Sequence, residues 1–347
     1  MEKERVAVAM SGGVDSAVAA VLLIDEGYEV FGITMVLFSD LSHLNNARRV
    51  CDILNIPHYV VDYTSIFKEK VIDPFCSEYL AGRTPNPCVA CNKFIKMGVL
   101  LDKALDEGAT YLATGHYTKA EYDPKGERYL LYKGKDRTKD QSYLLWSLSQ
   151  GQLSYLKTPL GNMIKSEVLK IAKEKSLIEL ESESQEICFI PDDDYRIFLA
   201  EKFDEFIMPG DIVDKKGKVL GRHKGLPFYT IGQRKGLGIS NEKPLYVVGL
   251  IKDNNIVVVG EEDDLLKLEL TASNLNFIPF DFLDKEIKVE AQIRYNMSPS
   301  LAKISPIDDD KVIVKFNKRQ RAIAPGQSIV FYDGEKVLGG GIIDFAS

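Results

Sequence analysis

The sequence predicts an α/β protein in three parts: a parallel, doubly wound N-terminal sheet, a small β-rich central domain and a C-terminal antiparallel β-barrel. Three observations carry that reading. Apolar runs of strand length alternate with amphipathic helical stretches through the first half, the rhythm of a parallel sheet with helices on both faces. From about Phe203 short β-rich runs separated by Gly and charged turns take over, and from about Leu268 they recur regularly to Gly339-Gly340-Gly341. At 347 residues, 45% hydrophobic and 27% charged, the chain has the length of two or three domains and the composition of an ordinary globular protein. The expected division is 1–202, 203–264 and 265–347.

Taken in order, Arg5 to Met10 reads as a buried strand, and Ala17 to Ile24, rich in Ala and Leu, as the helix after it. Tyr28 to Met35 is a second strand, Asn45 to Leu54 a helix and His58 to Asp62 a third strand, followed by a helical stretch from Ser65 to Leu80. Gly82-Arg83-Thr84-Pro85-Asn86-Pro87 cannot be helical, because its prolines lack donors and fix the backbone. It reads as an exposed loop that delivers Cys88. Cys91 to Asp106 is an amphipathic helix, Thr110 to Thr114 a strand, Tyr117 to Tyr132 hairpin-like, with helical turns through Leu156 and a helix from about Ile164 to Lys175. Gly210 to Val213, Lys218 to Gly221, Leu245 to Leu250 and Ile256 to Val259 are the central β-runs. Ligands of parallel sheets sit outside the carboxyl ends of the strands, where the Ser11 loop, Met35 and Gly115 should converge.

Between the first strand and helix lies Ser11-Gly12-Gly13-Val14-Asp15-Ser16. A Gly-rich turn there aims backbone N–H groups and the positive end of a helix dipole at one point, a ready phosphate site. Asp15 is out of place beside an anion unless magnesium or the helix N-terminus uses its charge. A kinase-type P-loop would need a Gly-Lys-Ser/Thr ending, and this loop has no lysine. A chance Gly-rich turn is the bland alternative, but the strand–turn–helix setting favours function. The motif resembles the pyrophosphate loop of the ATP pyrophosphatases, which cleave ATP between the α- and β-phosphates and adenylate a substrate.

Five cysteines are the second signal. Met1 to Arg5 is charged and enters the first strand directly, no apolar run approaches the roughly 20 residues of a membrane helix, and a reducing, cytoplasmic setting is expected. Cys88-Val89-Ala90-Cys91 enters a helix whose N-terminus should lower thiol pKa values, and Cys188 lies in Ser184-Gln185-Glu186-Ile187-Cys188-Phe189-Ile190. A zinc knuckle or a redox pair is the alternative for the C-x-x-C, although structural zinc usually takes four ligands. Cys51 and Cys76 read as plain buried thiols. The net charge of −7 argues weakly against nucleic acid. Local clusters argue the other way: Lys215, Lys216, Lys218, Arg222, Lys224, Arg234 and Lys235 in the centre, and Lys315, Lys318, Arg319 and Arg321 near the end.

Asn86-Pro87 with Cys91-Asn92-Lys93, Thr114-Gly115-His116-Tyr117, Lys139-Asp140-Gln141-Ser142-Tyr143 and the block from Phe228 to Ile239 together resemble the tRNA-specific 2-thiouridylases. These enzymes replace the C2 oxygen of the wobble uridine with sulfur in the tRNAs for Lys, Glu and Gln. The likeness runs in order from Val6 to about Gln327. It implies an adenine nucleotide α-hydrolase-like sheet, ATP as co-substrate, magnesium, and a cysteine desulfurase or sulfur-relay protein as partner. Ala9, Met10, Ser11, Gly12, Gly13, Val14, Asp15 and Ser16 would hold the ATP phosphates, with Met35 and Gly115 bordering the adenosine. Cys91 takes the family's nucleophile position and Cys188 the persulfide position. Asn86, Pro87 and Cys88 would frame the target base, while His116, Lys139, Asp140, Gln141, Arg294, Tyr295 and Gln327 would contact tRNA.

Cys88 departs from the aspartate of many members. The aspartate form fits a route in which Cys188 donates persulfide sulfur and a Cys91–Cys188 disulfide follows. With Cys88 present, Cys88, Cys91 and Cys188 resemble the three-cysteine sites of related tRNA thiolases that hold a [4Fe–4S] cluster with one iron open for sulfide. Outside this family, the same loop serves GMP synthetase-like ligases, argininosuccinate synthase and tRNA-lysidine synthetase, none of which needs Cys91 and Cys188. A tRNA-binding protein with an idle ATP loop and a zinc-stabilised RNA-binding module remain the non-catalytic alternatives.

Overall fold

A computed structural model describes residues 3–38, 42–177, 187–190 and 194–347. The N-terminal alternation builds β1 (Arg5–Ala9), α1 (Val14–Asp25), β2 (Glu29–Val36), α2 (Ser42–Leu54), β3 (His58–Asp62) and β4 (Tyr111–Ala113). The strands form a parallel sheet in the order β3-β2-β1-β4, with the short strand Leu156–Lys157 beyond β4. Val6, Ala7 and Val8 of β1 have no exposed surface, as a central strand covered on both faces requires. The Ala17–Ala20 run of α1 is equally buried, its small side chains letting the helix lie close to the sheet. Leu156–Lys157 replaces the end of an expected helical stretch. Two residues of strand are too few to leave an alternation in the sequence.

The helix expected from Cys91 starts earlier, at Pro87. Proline is suited to a first turn, where its missing N–H is not needed, and the Asn86 side chain accepts from the Val89 amide (3.4 Å). The next segment, Cys91–Leu100, is π-wound and breaks at Gly98 (φ −108°, ψ −110°) before an α-helix over Leu101–Asp106.

The central strands form one four-stranded sheet in which Ile256–Gly260 runs parallel to Gly210–Asp214 and antiparallel to Tyr246–Ile251. The C-terminal strands Leu266–Phe277, Ile287–Gln292, Ser300–Asp308, Lys311–Arg321, Ser328–Asp333 and Lys336–Ala346 are antiparallel and close into a barrel, the first pairing with the last. The hairpin Thr118–Asp123 and Arg128–Lys133 joins this barrel instead of the parallel sheet, pairing Leu131 with Val337 and Tyr132 with Lys336. One apolar cluster therefore runs from Ala7, Phe31 and Leu112 through Leu131 and Trp146 to Ile278, Val330 and Val337. Among the described residues, no helix is long and apolar enough to cross a membrane.

Candidate active site

The loop between β1 and α1 is tied by its own serines. Ser16 Oγ donates to the Gly13 carbonyl (3.0 Å), accepts from the Ser11 amide (3.2 Å) and lies 3.1 Å from Ser11 Oγ. Gly12 has φ +82°, and a Cβ there would stand 2.5 Å from the His43 carbonyl oxygen, so only glycine fits. Gly13 precedes α1 without a side-chain cap, which leaves the helix's first N–H groups facing the loop. Met10 is fixed behind it by Thr34, whose Oγ1 donates to the Met10 carbonyl (3.0 Å), and the Met35 carbonyl accepts from His43 Nε2 (3.1 Å).

Asp15 is 1% exposed, and its Oδ1 accepts from Tyr117 Oη (2.8 Å) and from Lys165 Nζ (2.6 Å). Lys165 opens the helix Lys165–Glu174. The lysine absent from the loop itself is thus supplied from far along the chain. No local signal in the sequence singled it out.

Gly115, just after β4, lies directly on this loop. A Cβ there would come within 2.8 Å of the Asp15 carbonyl carbon and 2.9 Å of the Ser16 nitrogen. The next residue, His116, is buried, with Nδ1 2.8 Å from Thr114 Oγ1 and Nε2 3.5 Å from Lys96 Nζ. An ammonium only donates, so Nε2 is the acceptor and Nδ1 carries the proton. Burial, helped by the Lys96 charge, holds the His116 pKa well below its ordinary value. Lys96 in turn is close enough to act on the thiols of Cys88, Cys91 and Cys188, each of which it draws downward.

The helix N-terminus was expected to favour thiolates, and the structure reverses that direction. Burial dominates, pushing Cys91 up to about 11 and raising Cys88. Enclosure by the site, with Cys91 and Cys88 nearby, pushes Cys188 up to about 12, although its side chain still meets solvent on the open side. All five cysteines are free thiols. Cys51 and Cys76 are buried as expected, pushed up to about 12 and about 11. Ser184, Gln185 and Glu186 lie outside the described residues.

Several residues expected at a tRNA surface bond to the protein itself. Asp140 accepts from the Gly134 amide (2.8 Å) and from Ser142 Oγ (2.9 Å), and Gln141 Oε1 accepts from the Tyr117 amide (3.0 Å). Arg294 donates to the Ala322 carbonyl (2.6 Å), and burial lowers its pKa. Gln327 Nε2 donates to the Thr84 (3.0 Å) and Pro85 (3.2 Å) carbonyls. Lys139 is half-buried, Tyr295 is exposed with its ring 5.9 Å from that of Tyr143, and Pro87 is buried between half-buried Asn86 and Cys88. In the central domain, Lys215 pairs with Asp264 (2.6 Å), while the loop from Arg234 to Leu245 lines a cavity of about 370 Å³.

A family model described as tRNA methyl transferase HUP domain matches residues 4–192. A tRNA methyl transferase PRC-barrel domain model matches 196–261, and an aminomethyltransferase beta-barrel domain model matches 267–343. The chain is 52% identical to the tRNA-specific 2-thiouridylase MnmA 2 of Thermoanaerobacter pseudethanolicus, over 98% of each chain. It is 49% identical to the tRNA-specific 2-thiouridylase MnmA of Carboxydothermus hydrogenoformans, over 99% of this chain and 98% of the relative. A solved 4-thiouridine synthetase–RNA complex with bound ATP is 16% identical, covering 58% of this chain and 51% of its own, with a TM-score of 0.35.

Proposed function

The chain belongs to the tRNA-specific 2-thiouridylase family, and from that premise we propose how its residues divide the reaction. It is an ATP-dependent tRNA-uridine 2-sulfurtransferase. The matched domain models carry methyl-transfer descriptions, but the full-length relatives are named for thiolation. A site with an anion loop and several thiols suits sulfur chemistry. The observation that carries the division of labour is the Gly115–His116 step. Gly115 rests on the Asp15–Ser16 backbone while His116 meets Lys96, whose charge acts on the Cys88, Cys91 and Cys188 thiols, which supports reading the ATP loop and the cysteines as one site.

Residues Ala9 to Ser16 cradle the phosphates of ATP, with Met35 and Gly115 beside the adenosine. Asn86, Pro87 and Cys88 frame a wobble uridine drawn out of its stack. The uridine O2 attacks the α-phosphorus, pyrophosphate leaves on the loop, and O2 becomes part of an adenylate. This step is needed because a urea-like oxygen leaves poorly, whereas AMP leaves well. Asp15 is the acid that would meet magnesium, which supplies charge neutralisation on the phosphates. Lys165, 2.6 Å from Asp15 Oδ1, holds that carboxylate in place and sets the charge the loop presents.

The terminal sulfur of a Cys188 persulfide then bonds to C2, and AMP departs with the C2–O electron pair. Cys91 thiolate attacks the Cys188 sulfur and forms the Cys91–Cys188 disulfide. The transferred sulfur keeps the electron pair as 2-thiouridine, and a thiol reductant later reopens the disulfide. Among the described residues, no group of three His, Cys, Asp or Glu side chains is arranged to hold a metal ion. Cys88, Cys91 and Cys188 as they stand do not make a cluster triad, and no step runs through one. Loading Cys188 and the later attack by Cys91 both need thiolate, and the Lys96 charge, which draws both thiols downward against burial, favours that form.

We assign direct RNA contact to Lys139 and Tyr295, with the central and C-terminal basic clusters on the phosphates. His116, Asp140, Gln141, Arg294 and Gln327 shape the wall behind them. The substrates are the tRNAs for Lys, Glu and Gln, sulfur comes from a desulfurase or relay protein, and the reaction is cytoplasmic. The working parts divide at 1–202, 203–264 and 265–347. The test is Cys188→Ser. It should keep tRNA-dependent pyrophosphate release and form no 2-thiouridine, and normal thiolation by that variant removes Cys188 from its role.

A further inference from the structure

Lys96 is a half-buried lysine with no carboxylate partner among the described residues; the hydrogen-bond neighbour of its ammonium is the neutral ring of His116. A cation withdrawn from water needs an anion or a set of acceptors. A carboxylate at position 116 would cancel the charge. An imidazole that only accepts leaves the charge intact and fixes where it points. The protein therefore keeps a directed positive charge open to an anionic ligand.

Its position says which ligand. His116 follows Gly115, which lies on the Asp15–Ser16 backbone, so Lys96 is anchored at the edge of the phosphate loop. The lysine also stands five positions after Cys91. In an α-helix such residues diverge by about 140°. The π-wound Cys91–Leu100 segment pairs residues five apart and brings Lys96 toward the Cys91 side. On the proposed reading, pyrophosphate leaves toward the loop and sulfur arrives from the cysteines. The group between those two places, from adenylation to sulfur transfer, is the α-phosphate.

We propose that Lys96 binds the α-phosphate, first of ATP and then of the adenylated uridine, and stays with AMP as sulfur displaces it, with His116 as its positioning residue. Lys96 forms no covalent bond. It donates hydrogen bonds to non-bridging oxygens, offsetting charge at phosphorus during attack and on AMP as the C2–O bond breaks. This rests on the thiolation reading above, and the two fail differently.

The experiment compares wild type with Lys96→Met, Lys96→Arg, His116→Leu and His116→Gln, with thermal melts to confirm folding. Tracked are tRNA-dependent pyrophosphate release, 2-thiouridine yield, and inhibition by added AMP and added pyrophosphate. Lys96→Met should slow pyrophosphate release roughly 100-fold and weaken AMP inhibition about tenfold. Pyrophosphate inhibition should stay unchanged, and Lys96→Arg should recover part of both losses. His116→Leu should weaken AMP inhibition with Lys96 still present, and His116→Gln, which keeps an acceptor, should restore most of it. If Lys96→Met folds and releases pyrophosphate normally but makes no thiouridine, Lys96 serves sulfur and the proposal is overturned. Unchanged AMP inhibition overturns it too, and a misfolded Lys96→Met leaves Lys96→Arg and the His116 pair to decide by the same readouts. Wild type that releases no pyrophosphate with tRNA would sink the thiolation reading itself.

Discussion

Asp15 and Lys165 are the pair in which sequence and fold contribute separately. The serines, glycines and Asp15 of the loop are consecutive, so their chemistry was legible as a motif. Lys165 was not, because only the docking of the Lys165–Glu174 helix brings its Nζ to 2.6 Å from Asp15. The Lys96–His116 contact was hidden for the same reason. Removing Lys165 leaves the buried Asp15 carboxyl group with the Tyr117 hydroxyl as donor, a loss of about 3 kcal/mol for a broken buried pair. Lys165→Met should therefore melt lower and release pyrophosphate about 10²-fold more slowly. Pairing it with Asp15→Asn removes the orphaned charge and should recover much of the stability without the activity. Calorimetry and a pyrophosphate assay check both arms. Full activity in Lys165→Met would confine the lysine to a structural role.

At the scale of elements, the Pro-rich loop 82–87 is held from the barrel as much as from its own domain. The Thr84 amide donates to the Pro325 carbonyl (2.8 Å), and Gln327 Nε2 donates to Thr84 and Pro85. The loop continues into the turn bearing Cys88 and Cys91, so the barrel sets where those thiols stand. Gln327→Ala leaves two backbone carbonyls without that donor, at about 1 kcal/mol for each lost bond. Hydrogen exchange over residues 82–90 should quicken and thiolation should slow, while tRNA affinity stays near wild type. Unchanged exchange with weakened tRNA binding would make Gln327 an RNA contact, as the family resemblance implies. Most elements were legible, because periods of two and of 3.6 residues survive in these strands and helices. The hairpin's destination was not, since pairing Leu131 with Val337 joins residues far apart in the chain. Nor does sequence period separate π-winding from α-winding over Cys91–Leu100.

For the whole molecule, the three-part division describes the chain better than the core. The parallel sheet and the barrel share one apolar cluster, and it includes Trp146, the chain's single tryptophan. Trp146 is 3% exposed, and a Cβ on Gly340 of the last barrel strand would stand 2.8 Å from its ring. Its carbonyl accepts from Asn276 Nδ2 (2.7 Å) on the first barrel strand. Tryptophan fluorescence therefore reports on the seam between catalytic sheet and barrel. If the two fold as one unit, fluorescence and far-UV circular dichroism should lose their signals at the same denaturant midpoint. Gly340→Ala should lower that midpoint for both probes, because the added methyl meets the Ile329 carbonyl oxygen and the Trp146 ring inside a close-packed seam, an overpacking cost of about 1–3 kcal/mol. A fluorescence transition well before the dichroism change would mean that the barrel undocks while the sheet stays folded. The cysteine loop would then be held only by its own domain in that state. Since Gln327 and Pro325 act on the loop from the barrel side, such undocking should abolish thiolation before secondary structure is lost, and activity measured along the same denaturant series distinguishes the two cases.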